Sequence, residues 1–251
     1  MILSAIVLLA AAPQVSLAYA QARDASGAAA HERELVTVSG VASVGSDGRS
    51  DALKFFIEDR NNAPYGIGLY TNRIRTTIAP GDVVTATGRV GMYASTVELL
   101  PDALQVVGRA APPNPIEVHA EELIGPRWSG VLVRTRGKIE KVVREEDYAD
   151  VSLGTSRGPL HVHIAGTSYN VDSLVDGALI EVTGIASQYK RRTATTPDFE
   201  VLPRTSADLK IVRSSATVLW TTLGVAAIAI VLIAAALTFS RPQKVRPEQI
   251  P

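Results

Sequence analysis

One segment of this chain is written twice, and the duplication restricts the fold more than any other feature. Residues 81–107 read GDVVTATGRVGMYASTVELLPDALQVV, and residues 177–212 read GALIEVTGIASQYKRRTATTPDFEVLPRTSADLKIV. In each copy a glycine (Gly81, Gly177) is followed seven residues on by a second (Gly88, Gly184), and five further on by a tyrosine (Tyr93, Tyr189). E-L-L-P at 98–101 and E-V-L-P at 200–203 come next, and each copy closes on a short apolar run, 104–107 and 209–212. A unit repeated in this way means two copies of one architecture. It does not name a ligand.

The residues before each repeat supply the rest of the unit. Residues 35–40, LVTVSG, and 53–58, LKFFIE, alternate as half-buried strands should, with Leu53, Phe55 and Ile57 on one face. A third strand is expected at 66–70, and residues 83–90 and 97–107 give two more. Turn residues at 46–48 and 61–64 separate them. Spacing this tight leaves no room for crossover helices, so a parallel sheet is not expected. Five short strands closing on themselves make an OB barrel, which removes exposed edges; a two-sheet sandwich is the competing fold. Residues 131–137, 151–153 and 160–164 repeat the plan. The expected fold class is therefore all-β, with two tandem five-stranded OB-like barrels at 34–108 and 131–213. A proline-rich linker at 109–130 separates them, with a short strand and one helical turn over 116–124.

The ends suggest a location. Residues 2–12 are an apolar run reaching Ala18-Tyr19-Ala20, a small-x-small pattern. This reads as a signal peptide over 1–20, cut before Gln21, with a flexible leader at 21–33. An uncleaved anchor is the alternative. Residues 216–239 carry no charge, long enough for a membrane helix. Trp220 marks its outer end, and Arg241, Lys244 and Arg246 follow, placing a short tail, 240–251, in the cytoplasm. The expectation is a single-pass protein of the inner membrane with its bulk extracytoplasmic (periplasmic). Lysine plus arginine (25) balance aspartate plus glutamate (25), so no bulk attraction to nucleic acid or anionic lipid arises. With no cysteine there is no disulfide, thiolate site or thiol nucleophile.

The run PPNPIEVHAEELIGPRWSGVLVRTRGKIE, set between two OB-like units, resembles the linker and second barrel in the periplasmic region of bacterial membrane sensors, often histidine kinases. The resemblance covers roughly residues 34–240. Such sensors continue into cytoplasmic output domains, whereas 240–251 have no space for a histidine box, a nucleotide loop or a cyclase motif. The resemblance thus implies an extracytoplasmic binding or sensing module, with kinase activity outside this chain.

Candidate sites are few. Phe56 and Tyr70 lie on the outward faces of their strands, with Arg73 and Arg75 close by in sequence, and aromatics beside arginines suit a stacking platform. Lys190, Arg191 and Arg192 fall in the loop before the last strand of the second barrel, where OB barrels commonly hold oligonucleotides or oligosaccharides, and can pair with phosphate or carboxylate. His161 and His163, two apart on one strand, share a face and are the weak candidates for a metal, or else a polar outer face. Glu145, Glu146, Asp147 and Asp150 form an acidic turn, read as solvated. There is no G-x-S-x-G, H-E-x-x-H or phosphate loop, and no cofactor is expected. The sequence therefore points to a non-catalytic, membrane-anchored binding module. Its partner would be an oligosaccharide, an oligonucleotide, a small molecule or another membrane protein. The alternatives are the split input half of a sensor and a secreted hydrolase or nuclease.

Overall fold

Strand alternation turns into barrel walls wherever the apolar parity meets a partner of matching parity. The computed structural model describes residues 12–46, 53–59, 64–165, 171–189 and 198–212. After a short helix α1 (Leu17–Ala20) come β1 (Leu35–Val44), β2 (Leu53–Asp59), β3 (Tyr65–Thr71), β4 (Asp82–Tyr93) and β5 (Thr96–Arg109). These five close in the order β1-β2-β3-β5-β4. Then follow β6 (Ile116–Glu117), 3-10 turns at Ala120–Leu123 and Pro126–Trp128, β7 (Leu132–Arg144), β8 (Tyr148–Leu153), β9 (Leu160–Ala165), β10 (Leu179–Tyr189), β11 (Asp198–Leu202) and β12 (Leu209–Ile211). They form one sheet ordered β12-β10-β11-β9-β8-β7-β6, and a further β10–β7 pairing closes it. The expected all-β class holds, and both closed orders follow the OB scheme. The short strand and helical turn expected over 116–124 are β6 and the first 3-10 turn.

Each barrel fills with the inward half of its alternation. Val36 and Val38 of β1, Phe55 and Ile57 of β2, and Ile67 and Leu69 of β3 are buried in one cluster. Val133, Val151, Val162, Ile164 and Val182 occupy the second. Each side chain of this size contributes about 1.5–3 kcal/mol on burial. The middle outward positions of β1 are polar and pair across the ladder: Thr37 meets Thr87, and Ser39 meets Thr85, hydroxyl to hydroxyl at 2.8 Å.

The duplicated glycine Gly88 sits opposite Pro101, where the β4–β5 register shifts. A Cβ there would strike the carbonyl of Leu100, and one on Gly184 would strike the carbonyl of Leu202. Both copies thus keep glycine where β4 meets β5 and β10 meets β11 too closely for a side chain.

Residues 12–33, read as the end of a signal peptide and a flexible leader, pack onto the first barrel. Leu17, Ala20 and Ala29 belong to its buried core, because this barrel has no helix between β3 and β4 to cover that core. The proposed membrane span, the cytoplasmic tail and residues 1–11 lie outside the described residues. Among the described residues, no helix is long and apolar enough to cross a membrane.

The two barrels fall in one compact unit, Met1–Ile211, and they meet face to face. Phe56, Leu132 and Ile185 form a separate apolar cluster, with Val44 and Leu202 against it. The backbone of Gly66 lies so close to that of Gly130 that a Cβ on either would overlap the other's main chain. Thr96 Oγ1 donates to the Gln188 carbonyl at 2.5 Å, and Arg127 donates to the Pro64 carbonyl at 3.1 Å while covering the Tyr65 ring.

Candidate functional site

The outward face of β2 and β3 is built by register. Lys54 pairs with Tyr70, Phe56 with Gly68 and Glu58 with Gly66. All six side-chain positions point away from the core, since Phe55 and Ile57 between them point in. The second barrel covers most of this face. Phe56 is only 7% exposed and lies between the barrels. As a stacking residue for a ligand it is therefore corrected: its ring is spent on Leu132 and Ile185.

Tyr70 escapes this cover and stays 38% exposed. It lines a groove of about 410 Å³ together with Thr71, Asn72, Arg73, Arg89, Leu100, Pro101 and Asp102. The site draws on the end of β3, the connector after it and the middle of β4 and of β5. Arg89 and Leu100 are ladder partners, so guanidinium and isobutyl stand side by side on the wall. Arg89 Nη1 donates to the Arg33 carbonyl at 2.9 Å, which fixes its head at the rim. Arg73 Nη1 stands 3.6 Å from Asp102 Oδ1, with both side chains largely exposed. An ion pair in that setting contributes about 0–1 kcal/mol, so an incoming anion can replace the carboxylate. A ring, an aliphatic wall and two guanidiniums against one carboxylate suit an anionic group carried on a planar or apolar body.

The sequence named Tyr70 and Arg73 for this set, and the groove brings them together. Arg75 is exposed on the same connector but does not line it. Arg89, Leu100 and Asp102 were missed. Alternation along β4 puts Thr85, Thr87 and Arg89 outward, and the E-L-L-P run leaves Leu100 outward once Leu99 turns in; those were the available signals. Lys190, Arg191 and Arg192 lie outside the described residues.

The matching face of the second barrel carries titratable groups. His161 and His163 do share a face, since Leu160, Val162 and Ile164 are core. His161 Nδ1 lies 3.1 Å from Asp150 Oδ1, and the His163 ring lies 5.4 Å from that of Tyr148. Among the described residues, no group of three or more His, Asp or Glu is placed to hold a metal ion. The repeat's two glutamates sit at equivalent positions on β5 and β11. Burial pushes the Glu98 carboxyl up, against the pull of Lys54. Burial also pushes Glu200 up, with Asp150 adding to it, while His163, a Ser187 hydrogen bond and Lys54 oppose. One lysine thus acts on the half-buried carboxyl of both barrels.

No protein-family model and no curated protein matches the chain. Among solved structures it is similar to a murine DNA binding protein bound with double-stranded DNA, at 11% identity over 71% of this chain and 99% of that one, with a TM-score of 0.36. It is similar also to the tetrameric p202 HIN2, at 10% identity over 72% and 94%, with a TM-score of 0.34. A third likeness is to an aspartyl-tRNA synthetase from Leishmania major Friedlin, at 12% identity over 43% of this chain, with a TM-score of 0.34; the match spans only 23% of the synthetase. Likeness at this level carries nothing about ligands, and the strand order rests on its own pairings.

Proposed function

We propose that this chain is a non-catalytic binding module made of two OB-like barrels, held at a membrane by residues 216–239 with the barrels on the extracytoplasmic side. Its ligand is an anionic molecule with a planar or apolar body, taken up in the groove between Tyr70, Arg73, Arg89 and Leu100. The groove is the observation that carries the reading: it joins an exposed ring to two guanidiniums, one paired with an exposed carboxylate and the other with a main-chain carbonyl. The uncharged run at 216–239 supports the tether.

The test uses the full chain in detergent micelles, titrated against a labelled short single-stranded oligonucleotide and against an acidic oligosaccharide, with fluorescence anisotropy as the readout. Saturable binding of one of them, weakened about tenfold by Tyr70→Ala in line with the loss of one stacking contact, is the expected result. Absence of binding to both, or binding indifferent to Tyr70, Arg73 and Arg89, would overturn it.

A further inference from the structure

We infer that the duplicated unit begins earlier than β1, and that residues 13–21 are its first element: the plug of the first barrel and a clasp to the second, retained in the mature protein. The argument rests on matching hydrogen bonds. Thr37 of β1 and Arg134 of β7 are equivalent, each three residues before the strand glycine (Gly40, Gly137). Val15 N–H donates to the Thr37 carbonyl at 2.9 Å, and Val118 N–H donates to the Arg134 carbonyl at 2.9 Å. Gln14 runs parallel to Thr37 as Glu117 runs parallel to Arg134. Val15 and Val118 are therefore the same position in two copies.

The match continues into the next turn. Ser16 caps α1, its hydroxyl accepting from Tyr19 N–H at 3.1 Å, and His119 stands at the same point before the Ala120–Leu123 turn. Both turns drive apolar side chains into their barrels. Leu17 and Ala20 enter the first core, and Ala120 and Leu123 enter the second. What reads in sequence as a linker in one copy and as the end of a signal peptide in the other is one plug.

In the first copy the plug also spans the barrels. The Gln21 side-chain amide donates to the Gly66 carbonyl of β3 and, at 3.4 Å, to the Ser129 carbonyl at the entrance to the second barrel. Tyr19 O–H donates to the downstream Glu34 at 2.9 Å, and its ring stacks on His31 at 3.6 Å. Arg23 reaches the Ser95 carbonyl at 2.8 Å, at the tip of the β4–β5 hairpin. A cut between Ala20 and Gln21 would remove Leu17 and Ala20 from the core and leave that end of the barrel open.

The experiment is N-terminal peptide sequencing and intact mass of the full chain, C-terminally tagged, expressed in a bacterial host and extracted from membranes. The expected N-terminus lies at or before Pro13; any N-terminus after Pro13, Gln21 above all, overturns the assignment. Leu17→Ala in the same full chain is the second arm. Its cavity should lower the thermal midpoint by roughly 5–15 °C, and an unchanged midpoint would overturn the plug role. Neither arm depends on the ligand groove, so the two proposals fail separately.

Discussion

The backbone amide of Leu132 donates to the Glu58 carboxylate at 2.9 Å, from the first residue of β7 to the outward face of β2, and Glu58 is only 1% exposed. A buried acceptor from one barrel thus satisfies a buried donor of the other. Replacing Glu58 by alanine leaves the Leu132 N–H without that acceptor, and a loss of about 1–3 kcal/mol is expected. Glu58→Gln keeps an oxygen in place and should recover most of it. Urea unfolding followed by tryptophan fluorescence reads the difference, since Trp128 lies half-buried at the entrance to the second barrel.

Gly66, the ladder partner of Glu58, and Gly130 set the distance between the barrels beside that bond. Either Gly66→Ala or Gly130→Ala puts a methyl group into opposing main chain, which cannot move aside as a flexible side chain would. Gly130 adds a positive φ of 81° that alanine adopts poorly. The expected outcome is a destabilisation of about 1–3 kcal/mol and faster proteolysis between residues 109 and 131. Equal digestion rates for wild type and both variants would show that the barrels do not meet in this way.

The half-buried glutamates Glu98 and Glu200 set a pH dependence of definite sign. Burial raises the folded-state pKa of Glu200 and of Glu98 above the ordinary carboxylate value. Between those two values the native chain holds a proton that the unfolded chain has released. This part of the stability is therefore complete below the ordinary value and is lost as pH rises through the folded one. Glu200→Gln removes the cost of the buried charge, so it should raise the thermal midpoint at neutral pH and flatten the fall above the carboxylate range. Lys54→Ala should steepen that fall, because Lys54 holds both carboxyls down. A thermal-melt series against pH measures each slope.

Two outward aromatics of neighbouring strands, Tyr70 on the groove and Phe56 in the seam between the barrels, should behave in opposite ways. Tyr70→Ala should cost about tenfold in affinity with little change in thermal midpoint. Phe56→Ala should cost about 3–5 kcal/mol in stability while the groove keeps its chemistry. Paired melting and anisotropy measurements on the two variants separate them, and a Phe56 variant that loses affinity at full stability would refute the division.

Much of the architecture was legible residue by residue. The inward set Phe55, Ile57, Leu160, Val162 and Ile164 follows from alternation, because a strand turns every second side chain the same way. The glycine pairs and the E-x-L-P runs marked the bend and the closing strand. The groove was half legible. Tyr70 and Arg73 are neighbours in sequence, whereas Arg89, Leu100 and Asp102 arrive from β4 and β5 only when the barrel closes.

What the sequence determined by itself is parity: which side chains leave water, where strands turn, and that the plan is used twice. The tertiary structure decided what covers each face. Phe56 and Tyr70 have the same parity on adjacent strands, yet docking of the second barrel buries one and leaves the other on a groove wall. Residues 13–20 carry no charge and place apolar residues among small ones, a composition shared by a signal segment and a barrel plug. Only the hydrogen bonds to β1 and the seats of Leu17 and Ala20 in the core tell them apart. The physical reason is common to both cases. Hydrophobicity and periodicity are local and state that a surface must be covered, whereas the partner that covers it comes from a distant part of the chain and is chosen by packing.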